Sequence, residues 1–238
     1  DKFVYFQLLD ENKMMVQSMR SGTMIQSGET QGCVGCHENR TETVMPKQLV
    51  AKALRRAPSK LKGWYGEPRM ISFQKEIQPI FDKNCVGCHN FDKPAGEKLI
   101  LAGDRTISFS ASYIDLWSKG VIDCVGAGPA AIQDAKSWGS HSSKLIKVLR
   151  DGHTPGTAGY EKHKNIKLSD EEMDRLITWV DLNAPYYPYY ESAYPNNPCG
   201  RSPIDGRQLN RLRKLTGVKF VTGHGRNKRA MISFDRPE

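Results

Sequence analysis

A five-residue motif that occurs twice limits what this chain can fold around. C-x-x-C-H stands at 33–37 and again at 85–89. This is the attachment spacing of c-type haem. Two thiols three positions apart reach the vinyl groups on one porphyrin edge, and the following histidine is the proximal iron ligand. The sequence therefore predicts two covalently bound haem c groups, held by Cys33, Cys36 and His37 and by Cys85, Cys88 and His89.

The same cysteines have two other readings. A four-cysteine zinc ribbon usually separates its C-x-x-C pairs by about 15–20 residues. The two pairs here are much further apart, and zinc needs no histidine after each pair. A thioredoxin-like thiol pair would require a βαβ context, which the pattern lacks. Haem attachment is the favoured interpretation.

The pattern along the chain predicts a mainly α, loop-rich protein with a short N-terminal β-hairpin and two cytochrome-c-like haem modules. The 21 glycines and 13 prolines indicate many loops. Residues 3–9 and 14–19 read as the hairpin strands. We expect a first haem module with hairpin, motif and short helix at 1–66, a second cytochrome c module at 67–190, and a C-terminal helix with a basic tail packing on the modules at 191–238.

Several elements of the second module and the tail can be predicted. Pro79 suits the first turn of a helix that runs into the second motif. Ser169 and Glu172 form a capping box that opens the best-defined helix. The other expected elements are a short strand at 99–101, a helical turn at 112–117, a helix at 142–150, a polar loop at 152–166, and a last helix after Ser202 with Leu209, Leu212 and Leu215 facing inward.

Four further histidines are candidates for the sixth iron position: His141, His153, His163 and His224. In small cytochromes this ligand usually lies in a loop before the final helix of the module. His153 and His163 both lie in such a loop, and we favour His153 over His163 for the iron held by His89. For the first haem Met24, Met45 and His224 stay open, as does an iron without a sixth protein ligand that binds small molecules.

The net charge of +9 favours an acidic redox partner protein over nucleic acid, because no RNA-binding or helix-turn-helix pattern accompanies the basic residues. No apolar run of about 18 residues predicts a membrane span. Haem attachment implies a periplasmic or equivalent extracytoplasmic compartment. Cys124 and Cys199 could pair as a disulfide or stay separate thiols. Asp1 opens a strand without a signal peptide, so we expect a mature chain or a piece of a longer one.

Four stretches carry a family resemblance. They are YFQLLDENKMMVQSMRSGTMIQSGETQGCVGCHENR, ISFQKEIQPIFDKNCVGCHN, GSHSSKLIKVLRDGH and KLSDEEMDRLITWVDLNAPYY. In this order they resemble the diheme carboxy-terminal region of hydrazine synthase α-subunit-like proteins of planctomycetes and related bacteria. The resemblance implies a β-propeller ahead of the haem region and other domains or subunits of a larger complex. The anammoxosome is then one candidate for the extracytoplasmic compartment.

The resemblance also implies roles for the two haems. The second would be a bis-histidine relay, with His89 as one ligand and His153 or His163 as the other, and the first would be the catalytic one. In hydrazine synthase a tyrosine four residues beyond the first motif ligates the iron and the motif histidine binds zinc. Thr41 stands at that position here. We therefore expect His37 to be an ordinary proximal ligand.

The sequence thus predicts a diheme c-type cytochrome that transfers electrons between redox partners. The alternative is a haem enzyme of hydrazine-synthase-like type, whose open first haem acts on small nitrogen species or peroxide. In that case Glu38 and Arg40 are candidates for proton or anion groups. A zinc-stapled binding module is a third reading.

Overall fold

The computed structural model describes residues 2–29, 41, 56–60, 62–105, 109–125, 133–152, 154–157, 160–188 and 206–217. Two compact units divide the chain. The first comprises Asp1–Gln7 and Ser18–Arg69, and the second comprises Leu8–Gln17 and Met70–Glu238. The predicted division into 1–66, 67–190 and 191–238 stays a prediction.

The predicted N-terminal hairpin is confirmed, with one more strand pair than expected. Its strands are β1 (Lys2–Val4), β2 (Gln7–Leu9), β3 (Met15–Ser18) and β4 (Thr23–Ile25). β2 pairs with β3 as predicted, while β1 pairs antiparallel with β4, placing Phe3 opposite Met24. Asp10 fixes the tip, because its carboxylate accepts from the Asn12 and Met14 amides at 2.9 Å. The predicted strand at 3–9 is two strands, β1 and β2, and β4 lies outside both predicted strands.

The second unit opens with a helix that leads into the second motif. A wide, π-type turn at Phe73–Ile77 continues directly into α1 (Gln78–Asn84), with Pro79 in its first turn as predicted. The buried positions Phe73, Ile77 and Phe81 recur at helical spacing, so one face of this segment packs into the core.

The segment after the second motif differs from its prediction. Residues 99–101 were expected to form a short strand, and they form none. Their polar backbone groups bond to neighbours instead, since the Leu101 amide donates to the His89 carbonyl at 2.9 Å. The predicted turn at 112–117 is a full helix, α2 (Ala111–Ser118), whose N-cap is Ser110.

The remaining helices of the second unit follow α2 along the chain. They are α3 (Lys144–Asp151), α4 (Tyr160–His163), α5 (Asp170–Asp181) and α6 (Gly206–Thr216), and a 3₁₀ turn at Gly139–His141 precedes α3. Both bonds of the predicted capping box are present at the start of α5. α4 was predicted as loop, and its four residues are too few for a periodic signal. In α6 the inward prediction for Leu215 is wrong, since its side chain is 74% exposed.

An aromatic cluster forms the centre of the second unit. The Phe73 ring lies 5.1 to 6.2 Å, centroid to centroid, from the rings of Phe81, Tyr113, Trp179 and Tyr186. Trp179 and Phe73 are fully buried. Such rings bury much apolar area and pack with defined geometry. The cluster therefore fixes α1, α2 and α5 around one core.

The hairpin tip packs into this second unit. Met14 and Met15 are 3% and 1% exposed. The Met15 amide donates to the buried Asp181 carboxylate at 3.0 Å, and Lys13 pairs with Asp174 at 2.6 Å. Along the part of the chain that the structure describes, no helix has the length and apolar character needed to cross a membrane.

Candidate haem-binding site

The second motif is held in shape by its own backbone. The Cys85 amide donates to the Phe81 carbonyl at 2.8 Å, so the motif continues from α1. The Cys85 carbonyl then accepts from the amides of Cys88 at 3.0 Å and His89 at 2.9 Å. Residues three and four positions apart share one side of such a turn. The two thiols and the imidazole can therefore contact the same bound group.

The cysteines of this motif are thiols without a disulfide between them. Cys85 is half-buried and Cys88 is exposed. Burial, together with the charges of Cys88 and Glu172, raises the pKa of the Cys85 thiol to about 11. A thiol of this pKa is protonated at neutral pH and is a poor nucleophile or thiolate ligand. The environment of Cys85 thus does not lower the pKa of its thiol, as a reactive cysteine of a redox-active C-x-x-C pair requires.

His89 is oriented by one hydrogen bond. Its Nδ1 lies 2.9 Å from the Leu99 carbonyl oxygen. A carbonyl can only accept, so this contact requires the proton on Nδ1. Nε2 is then the unprotonated nitrogen with a lone pair for a metal. Metal-bound histidines usually make this second hydrogen bond to a carbonyl or carboxylate.

The His163 ring lies near the His89 ring and is nearly parallel to it. The two centroids are 6.3 Å apart and the ring planes differ by 11°. Metal–imidazole bonds of about 2 Å, with each ring centre about 1 Å behind its nitrogen, put two imidazoles on opposite sides of one metal ion about 6 Å apart. The observed separation matches that value.

The donor set fits haem better than a bare ion. Within the described ranges, no group of three or more His, Cys, Asp or Glu side chains is arranged to hold a metal. A metal between His89 and His163 would need its other ligands from a non-protein group, and a porphyrin supplies four nitrogens. The thiols of Cys85 and Cys88 stand beside one of these imidazoles, as covalent attachment requires.

Helix α5 contacts the end of α1, directly before the motif. Glu172 Oε1 accepts from Lys83 Nζ at 2.8 Å and from Asn84 Nδ2 at 3.3 Å. Asn84 directly precedes Cys85. Burial would raise the pKa of Glu172, but the hydrogen bonds from Lys83, Ser169 and Asn84 outweigh it and lower the pKa to about 2. The carboxylate is thus ionised and joins the end of α1 to the start of α5.

Close packing positions His163. Gly152 caps α3 with ordinary helical angles, φ −57° and ψ −14°. A Cβ added there would lie 2.9 Å from the His163 Cβ and 2.7 Å from the Val148 carbonyl oxygen. Only glycine allows this approach without a shift. The end of α3 therefore sets the position of the α4 histidine.

The structure describes only some of the predicted site residues. Cys85, Cys88, His89 and His163 come together in the second unit. Thr41 is exposed, and Met24 is 53% exposed on β4. The buried Cys124 thiol lies 3.8 Å from the Val180 carbonyl oxygen. Outside the described residues lie Cys33, Cys36, His37, Glu38, Arg40, Met45, His153, Cys199, His224 and residues 46–55 of the predicted short helix.

Two contributors to the site carry no sequence motif: the Leu99 carbonyl and Gly152. A backbone acceptor is independent of side-chain identity, so no sequence pattern predicts the hydrogen bond to Leu99. Gly152 was predicted only as the first residue of the polar loop at 152–166.

Comparison with known proteins agrees with the resemblance. Residues 1–38, which include the first motif, match the family model described as the hydrazine synthase alpha subunit middle domain. Hydrazine synthase subunit alpha of Kuenenia stuttgartiensis is 26% identical over 126 residues, a match that covers 49% of this chain and 15% of that protein. No solved structure matches.

The resemblance to hydrazine synthase α-subunit-like proteins is therefore confirmed. One detail is refined, because the hairpin and the first motif match the middle domain, whereas the sequence resemblance assigned them, with most of the chain, to the carboxy-terminal region. The chain spans a small part of the relative's length.

Proposed function

We propose that this chain is the diheme c-type cytochrome part of a hydrazine-synthase-α-like protein, and that its second haem transfers electrons. The observation that carries the proposal is the imidazole pair: His89 Nδ1 is bonded to the Leu99 carbonyl, and the ring centroid of His89 lies 6.3 Å from that of the nearly parallel His163 ring. An iron held between two imidazoles supplies a one-electron couple. With His89 and His163 both bound to it, such an iron would have no position left for a substrate.

The protein's own part is to hold the ligands. Cys85 and Cys88 would carry the porphyrin, and the carbonyl of Leu99 keeps His89 in one tautomer and orientation. The α3–α4 packing at Gly152 holds His163. Rigid ligands favour electron transfer, because little reorganisation accompanies the change of charge on the iron.

We assign His163 as the second axial ligand, reversing the preference for His153 drawn from the sequence alone. The ring separation supports His163, whereas His153 lies outside the described residues. His153 is the alternative ligand.

For the first haem we propose attachment through Cys33 and Cys36, with His37 as proximal ligand. The second candidate function belongs here: a catalytic, open iron acting on small nitrogen species or peroxide. The observation that favours it is the relation to a protein named hydrazine synthase subunit alpha. Carbon monoxide, which binds reduced haem only where a position is open, distinguishes this candidate from the pure electron carrier.

Partner and compartment follow from charge and chemistry. A net charge of +9 suits an acidic redox partner. Exposed lysines flank both ligand segments, at Lys93 and Lys98 after His89 and at Lys162 and Lys167 around His163. We place the chain in the periplasm or an equivalent compartment such as the anammoxosome, where haem c is attached, as one part of a larger complex.

The first test is the haem content of the chain, produced in a host that attaches haem c outside the cytoplasm. Pyridine haemochrome and intact mass should give two haems that survive denaturation. Replacing Cys85 and Cys88 together by serine should leave one haem, because thioether attachment at that motif is lost. Cys124→Ala, which changes a cysteine away from both motifs, should keep two. A chain without haem that binds zinc would refute the proposal.

A further inference from the structure

One peptide group joins His89 to a carboxylate on another helix. The Leu99 carbonyl oxygen contacts His89 Nδ1 at 2.9 Å. The N–H of the same peptide group, carried by Ile100, donates to Asp115 Oδ2 at 2.8 Å. The hydrogen bonds therefore run from Asp115 through a single peptide bond to the imidazole.

Such a series of hydrogen bonds transmits polarisation from one end to the other. Hydrogen bonds in series polarise one another, and a bond to an ionised acceptor is stronger than a neutral one. A carboxylate at the N–H end pulls the peptide dipole toward it and makes the carbonyl oxygen a better acceptor. The Nδ1 proton is then held more tightly, and Nε2 becomes more electron-donating. A carboxylate bonded directly to a metal-bound histidine acts in the same direction.

Asp115 is well placed for this effect. It lies in the middle of α2 and is half-buried, so water screens it less than a surface carboxylate. α2 is anchored through Ser112, whose amide donates to the Ala102 carbonyl at 3.1 Å and whose hydroxyl donates to Gln78 at 2.5 Å. The 99–101 segment is also fixed, because the Leu101 amide donates to the His89 carbonyl.

We propose that Asp115 is a positioning residue that tunes the iron ligand His89 through the Leu99–Ile100 peptide and lowers the reduction potential of the second haem. This inference rests on the proposed function, since it needs haem at the second motif. Asp115 accepts from the Ile100 amide and not from His89, so its effect is transmitted by the peptide.

The test compares midpoint potentials of the holoprotein and its variants by spectroelectrochemistry. Asp115→Asn keeps an oxygen acceptor for Ile100 and removes the charge. Asp115→Ala removes both. Asp92→Asn, which neutralises an exposed aspartate three positions after His89, controls for general loss of negative charge. In the reduced, diamagnetic state the NMR signal of the His89 Nδ1 proton reports the hydrogen bond directly.

Asp115→Asn should raise the midpoint potential of the second haem by at least about twice the shift of Asp92→Asn, and it should move the Nδ1 proton signal upfield. The Ile100 amide should stay protected from exchange in Asp115→Asn and lose protection in Asp115→Ala. A purely structural role predicts otherwise: Asp115→Asn would match the Asp92 control and only Asp115→Ala would shift. That result overturns the inference.

Failure of the proposed function gives a separate result. A wild-type chain without haem at the second motif, or with His89 off the iron, refutes the function before any potential is compared. A wild-type chain with the second haem in place, whose potential is unaffected by Asp115→Asn beyond the control, refutes the charge relay alone.

Discussion

At the scale of single residues, Gly152 is the position where one methyl group should alter the iron site. Its backbone angles suit alanine, so the effect of Gly152→Ala comes from contact with His163 and the Val148 carbonyl. Crowding of this kind costs about 1–3 kcal/mol. We expect a lower free energy of unfolding and a partly detached sixth ligand, seen as a high-spin fraction in the absorption spectrum of the ferric protein.

Gly63→Ala is the matched control for this prediction. Gly63 is exposed, and a Cβ there would meet only the Gly66 carbonyl oxygen at 3.9 Å, an ordinary contact. Both variants change the unfolded chain in the same way. A Gly152→Ala protein with wild-type stability and a fully low-spin spectrum would show that His163 does not depend on this contact.

Residue-level prediction is most specific where chemistry dictates the spacing. The assignment of Cys85, Cys88 and His89 to haem attachment stays a prediction, drawn from C-x-x-C-H because thioether attachment allows few other spacings. The choice between His153 and His163 was beyond the sequence, since either loop histidine could reach the iron. Ring geometry, which depends on how α3 packs on α4, supports His163.

At the scale of elements, Glu172 joins α1 to α5. Glutamine at this position still completes a capping box, so Glu172→Gln removes the charge that Lys83 and Asn84 contact. We expect the variant to lose about 1–2 kcal/mol of unfolding free energy at pH 7. The pKa is lowered from 4.5 to about 2 on folding, so this stabilisation is present above pH 4.5 and disappears as the pH falls toward 2.

Denaturant unfolding at several pH values measures this difference. Wild type and Glu172→Gln should converge below about pH 2 and diverge above pH 4.5. Glu171→Gln serves as control, because Glu171 is 50% exposed and pairs with Arg175 on its own helix. Equal losses in both variants, or a difference that is independent of pH, would contradict the assigned role of Glu172.

Helix starts were predictable where the sequence carries a capping or first-turn signal. The capping box at Ser169 gave α5, and Pro79 gave the first turn of α1. The 99–101 segment has strand-like composition but forms no ladder, because His89 and Asp115 satisfy its backbone. Leu215 has the spacing of a buried position, yet it is 74% exposed. Tertiary hydrogen bonds decided the first case.

At the scale of the whole molecule, the hairpin tip contacts the same helix, α5, that contacts the end of α1 before the second motif. The hairpin tip at Leu8–Gln17 is counted with the second unit, where Asp181 is only 4% exposed. Asp181 accepts from Met15 and Ser140 amides at 3.0 and 2.7 Å. The hairpin tip, which is part of the segment matched to the middle domain of the relative, therefore packs against the α5 helix that also contacts the residue before the second C-x-x-C-H motif.

The central claim is that His89 and His163 hold one iron and leave no position open on it. Carbon monoxide difference spectra of the reduced protein test this most directly, with wild type, His163→Ala and His153→Ala compared at equal haem content. We predict that His163→Ala gains a Soret shift equivalent to one haem over wild type, because loss of the imidazole opens the iron. His153→Ala should match wild type. A gain in His153→Ala with none in His163→Ala would contradict the assignment and return the sixth position to His153.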